Sequence, residues 1–138
     1  LFGESVALPF PQPPEMDELF GYAVHHILRA RFCIERGRYW QAEYWISSAR
    51  DYALNLAALR RGLSPFQGRG FDELPHDILR QFMGTFVRSI EREELLCALR
   101  LVVGGLLYDT NGVEKLAGQV EQQLHELVAE WDADCPKR

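Results

Sequence analysis

A chain of 138 residues has the size of one domain and can bury roughly two thirds of its unfolded surface around one core, with no disulfide or metal needed as a staple. Its 47% hydrophobic and 25% charged residues are those of a soluble globular protein, and no run of about 18 apolar residues is available to span a bilayer. The net charge of −5, with only a mildly basic middle between acidic ends, does not suit a nucleic-acid duplex binder, which needs a concentrated Lys/Arg surface.

That charge is unevenly placed. Residues 1–28 carry four acids and no Lys or Arg, residues 29–100 carry twelve arginines against nine acids, and residues 109–138 carry seven acids against three bases. A basic middle between acidic ends suits a pocket that receives a phosphate. Neither a signal peptide nor a membrane segment is visible. The three cysteines, Cys33, Cys97 and Cys135, are far apart and lack C-x-x-C spacing, so the expectation is a reduced, cytoplasmic chain in which Cys33 and Cys97 act as small buried hydrophobes.

Residues 1–14 hold Pro9, Pro11, Pro13 and Pro14 and no helical period, which predicts an extended linker or domain edge and a domain cut from a longer chain. Residues 15–138 then form one helical domain. A first helix is predicted over Asp17 to Arg36, with Phe20, Val24, Ile27, Leu28 and Ile34 on its apolar face and Gly37 as the stop. The second, Arg38 to Leu63, has the clearest periodicity, with Trp45, Ala49, Tyr52, Ala53, Leu56 and Leu59 recurring at steps of three and four. The short break at Gly37 makes the two helices antiparallel neighbours.

Leu63 to Pro75 is the one long irregular connection. A short third helix follows from Pro75 to Met83, with Ile78, Leu79 and Phe82 inward and Gly84 as its break. Ser89 is the expected cap of a fourth helix, with Glu91 and Glu93 in its first turn. That helix is the most apolar one, and Gly104 and Gly105 imply close packing along it. Asn111 and Glu114 have capping-box spacing for a fifth helix, whose seam runs Val113, Leu116, Ala117, Val120, Leu124, Leu127, Val128 and Trp131. No segment alternates like a strand. The fold class is all-α, an antiparallel up-and-down bundle of four long helices plus one short helix.

Glu43, Ser47, Arg50 and Asp51 line up along a second face of the second helix. They form either a substrate-facing stripe or a solvated face with i,i+4 pairs such as Ser47 with Asp51 or Asp51 with Asn55. Glu43 is the candidate general base, because its neighbours Tyr39, Trp40 and Tyr44 can desolvate it. Arg50 has the forked geometry that meets a phosphate or orients an acid. A structural ion pair of Glu43 with Arg29 or Arg31 is the competing expectation. Elsewhere the signals are weak. Adjacent His25 and His26 point about 100° apart, Asp132 and Asp134 form a D-x-D at the chain end, and Glu73 and His76 form a single E-x-x-H around Pro75. The G-x-S-x-G, G-x-x-x-x-G-K and H-E-x-x-H patterns are absent, so no self-contained catalytic set is present.

The run HHILRARFCIERGRYWQAEYWISSARDYALNLAALRRGL and the later GRGFDELP resemble the helical C-terminal domain of bacterial nucleotidyltransferases related to the aminoglycoside (kanamycin) enzymes, over roughly Leu1 to Leu107. The resemblance implies an upstream catalytic domain whose Gly-Ser motif and carboxylates hold Mg2+ and an NTP. It implies a helical domain that closes the pocket of a small-molecule acceptor and forms a homodimer, with neither nucleic acid nor membrane as a partner. This chain lacks the Gly-Ser motif, so it is not catalytic alone and has no cofactor or metal of its own. Tyr39, Trp40, Glu43, Tyr44, Arg50 and Asp51 are the substrate-binding candidates. The alternatives are a stand-alone HEPN-like module acting as an RNase or toxin partner, with Arg69 and His76 as an R-x6-H pair, and a non-catalytic interaction bundle.

Overall fold

The structure is a computed structural model that describes residue 12 and residues 14–129. Trp131, the D-x-D of Asp132 and Asp134, Cys135 and nearly all of the expected linker lie outside the described residues. The chain forms α1 (Met16–Glu35), α2 (Tyr39–Arg60), α3 (His76–Phe82), α4 (Arg92–Tyr108) and α5 (Glu114–Ala129), with 3-10 turns at Phe71–Glu73 and Met83–Thr85 and no strand among the described residues. This is the expected all-α bundle of four long helices and one short one.

The most extensive contact is the antiparallel pair α1 and α2. Alanines make it close. Ala23 and Ala30 of α1 and Ala42, Ala49 and Ala53 of α2 are buried, and their small side chains let the two backbones approach. The core faces are therefore rotated from those predicted. On α1 the buried set is Leu19, Phe20, Ala23, Ile27, Ala30 and Ile34, while Val24 is half-buried and Leu28 exposed. On α2 it is centred on Ala42, Ile46, Ala49, Ala53, Leu56 and Ala57, and Trp45, Tyr52 and Leu59 sit at its margin. The large residues drew the prediction towards themselves, whereas packing selected the small ones.

Both helices end alike. At the end of α1 the Gly37 N–H donates to the Ile34 carbonyl and the Arg38 N–H to the Cys33 carbonyl, with Gly37 at φ 72°. At the end of α2 Gly62 and Leu63 repeat the pattern on Leu59 and Ala58, with Gly62 at φ 71°. Each is the paired closure of a Schellman motif, which needs a residue that tolerates the left-handed region.

The connection after α2 folds back on itself, and α3 passes directly into the second 3-10 turn instead of breaking at Gly84. α4 is central, touching α1, α2, α3 and α5. It begins at Arg92 with Glu91 as its N-cap residue and Glu93 and Glu94 in the first turn, so the expected Ser89 cap does not form. Leu95, Leu99, Val102, Val103 and Leu106 are buried, while Leu96, Leu101 and Leu107 remain partly exposed.

On α5, Val113, Ala117, Leu124 and Val128 are buried as the seam requires. The predicted Asn111–Glu114 box is replaced by a tighter arrangement. Asp109 Oδ1 accepts from the Asn111 N–H at 3.1 Å, and Glu114 Oε1 accepts from the Gly112 N–H at 3.0 Å. Cys33 is a free, buried thiol and Cys97 is buried within α4, as expected of small apolar residues in helices.

Candidate functional site

The polar edge of α2 is real, with a different internal wiring from the one predicted. Ser47 Oγ donates to Glu43 Oε1 at 2.5 Å, one turn back along the helix. Arg50 Nε lies 3.6 Å from Asp51 Oδ1, and the Arg50 guanidinium is centred 4.1 Å from the Phe86 ring centroid. The expected pairs of Asp51 with Ser47 or Asn55 do not form. Nor does Glu43 pair with α1: Arg31 instead binds Glu35 at 3.2 Å and the Leu127 carbonyl at 3.0 Å, while Arg29 stands 5.7 Å from the Trp45 ring centroid.

This edge holds polar atoms that the fold leaves unsatisfied. Among the described residues, Glu43 Oε2, Arg50 Nη1 and Asn55 Oδ1 are buried without a hydrogen-bond partner, as are Trp45 Nε1 and Arg60 Nη2 elsewhere on α2. Each such atom costs about 1–3 kcal/mol, and native proteins retain few of them. From Glu43 the line continues through Ser47 and Asp51 to Asn55, at steps of four. There Asp51 and Asn55 meet Gln67, Gly68 and Phe71 of the connection around a recess of about 300 Å3. Gln67 is held at φ 56°, an uncommon conformation for a residue with a side chain. Asn55, Gln67, Gly68 and Phe71 were not among the predicted site residues. The signal lay in the i,i+4 continuation of the stripe, but which loop would meet it depends on long-range packing.

The remaining candidates separate. Arg50 is buried beneath Phe86 and is not presented to solvent, so it does not contact a phosphate in this conformation. Asp51 is open, with 55% of its side chain exposed. Tyr39 packs against the core, while Trp40 at 81% and Tyr44 at 63% exposure project outward and do not enclose Glu43. Arg69 and His76 are exposed in the connection and at the start of α3, and not on a shared helix face.

A second cluster sits on the α1–α2 seam, built around His26. Its ring lies 4.8 Å from Trp45 and 5.0 Å from Tyr52, and Ser48 Oγ is 3.4 Å from its Nδ1. Burial, followed by the nearby His25 and the Arg29 charge, lowers its pKa and favours the neutral ring.

Among the described residues, no three His, Cys, Asp or Glu side chains are grouped to hold a metal ion. Among the described residues no helix is long and apolar enough to cross a membrane. Comparison with protein-family models, with curated proteins and with solved structures finds no match.

Proposed function

We propose that the chain is the accessory, substrate-facing domain of a cytoplasmic nucleotidyltransferase, which moves a nucleotidyl group from an NTP to a small hydroxyl- or amine-bearing acceptor beside a separate catalytic domain. The observation that carries this reading is the polar stripe of Glu43, Ser47 and Asp51 along α2, which runs into the recess lined by Asp51, Asn55, Gln67, Gly68 and Phe71.

In this reading Ser47 Oγ holds Glu43 Oε1 and positions the carboxylate, which takes a proton from the acceptor hydroxyl or amine as general base. Arg50, sandwiched against Phe86 and beside Asp51, orients that carboxylate, and Asp51 and Asn55 hydrogen-bond the acceptor at the recess. Exposed Trp40 and Tyr44 supply the apolar surface of a homodimer or domain contact. The test is nucleotide transfer by the full-length protein against a panel of small acceptors, with the 138-residue chain assayed beside it. Transfer by the full-length protein and silence of the chain alone are expected. Mg2+-dependent transfer by the chain alone would overturn the accessory role, and failure on every acceptor would overturn the transferase reading.

A further inference from the structure

Away from the α2 edge, the α1–α2 turn carries a cavity of about 450 Å3 lined by arginines and rings. Arg29, Arg36 and Arg38 supply three guanidinium groups, and Phe32, His25 and Trp45 supply flat walls. No acid is among the lining residues.

Among the described residues the three arginines have only neutral partners. Arg29 Nε meets His25 Nε2 at 3.4 Å, Arg36 lies 5.6 Å from the Phe32 ring centroid, and Arg38 Nε donates to Gln41 Oε1 at 2.8 Å. The acid closest to them in sequence, Glu35, is already taken by Arg31 at 3.2 Å and Arg92 at 3.4 Å. Three like charges around one cavity repel one another, and a structural role would have supplied a carboxylate. The backbone fixes them in place. The Schellman closure at Gly37 sets Arg36 and Arg38 on either side of the turn. α2 starts just beyond, with no side-chain cap and no acid in its first turn, which adds the positive end of a helix dipole to the same cavity.

We propose that this cavity binds a phosphate-bearing ligand, its anionic groups held by Arg29, Arg36 and Arg38 and any flat ring lying against Phe32 or Trp45. Guanidinium groups match phosphate oxygens in forked pairs, and aromatic faces stack on bases. The cavity shares no residue with the recess at Asp51 and Asn55, so the assignment stands independently of the transferase reading.

Calorimetric titration of the 138-residue chain with ATP and, separately, with inorganic tripolyphosphate tests it. Both should bind at low salt, more weakly as salt is raised. Tighter binding of ATP would identify a nucleoside source, and equal binding a free phosphate source. Arg36→Ala and Arg38→Ala should each weaken binding roughly tenfold, as expected for losing a charge-assisted hydrogen bond. Arg69→Ala, an exposed arginine outside the cavity, should leave it unchanged. All three positions are exposed, so the variants keep the fold, which circular dichroism verifies. Absence of binding by either probe, or equal losses at Arg69 and at the cavity arginines, would overturn the proposal.

Discussion

His26 shows how one side chain links packing to pH. Its ring is wedged between Trp45 and Tyr52, and burial, then His25 and Arg29, disfavour its charged form. As pH falls from the imidazole's ordinary 6.5, the unfolded chain takes up this proton before the folded one. The stabilisation is therefore present above that pH and is lost as pH drops through the lower, folded-state pKa. A second loss follows in more acid solution from Asp109. Burial raises its pKa, but the Asn111 N–H and then Arg60 and Arg61 outweigh that and bring it below the ordinary carboxylate value. Denaturant melts should show stability falling between pH 7 and 5, and His26→Phe, which keeps a ring in the stack, should remove most of that slope. An unchanged slope in the variant would place the titrating group elsewhere.

At the scale of the element, the two adjacent glycines of α4 have opposite meanings. A Cβ on Gly105 would lie 2.6 Å from the Phe82 ring, whereas one on Gly104 would meet nothing within 4 Å. Gly105→Ala must displace Phe82 from the core and should cost about 1–3 kcal/mol. Gly104→Ala should stabilise by up to about 1 kcal/mol through helix propensity. Thermal or urea unfolding of the two variants checks the signs, and equal effects would contradict the α3–α4 packing. The sequence made the closeness of this helix legible without saying which glycine causes it, because facing is settled by a partner 23 positions away in the chain. Helix number, order and approximate ends were legible for a similar reason in reverse: Gly37, Gly62 and the apolar spacing act locally. Caps were less so. Ser89 had the right chemistry at the wrong distance from Arg92, and Asp109 works as a turn residue and ion-pair acceptor for Arg60 and Arg61, which only tertiary structure brings near.

For the whole molecule, the candidate site was half legible. Glu43, Ser47, Arg50 and Asp51 do share an edge, because helical spacing alone puts them there. Arg50's burial under Phe86, the outward turn of Trp40 and Tyr44, and the recess closed by Gln67 and Phe71 all depend on how the connection and the segment before α4 fold over α2. The cavity of Arg29, Arg36 and Arg38 was foreshadowed only as a basic middle of the chain. What unites Glu43, Ser47 and Asp51 is one edge of α2 that leads into the recess at Asp51 and Asn55. On the proposed transferase reading, the most direct measurement is nucleotide transfer by the full-length protein carrying Glu43→Gln, with its helical content and melting checked against the parent. The variant should fold normally and lose turnover by about 10²-fold or more, the contribution of a positioned general base. Full turnover in a folded Glu43→Gln enzyme would contradict the account and leave the polar edge of α2 as packing.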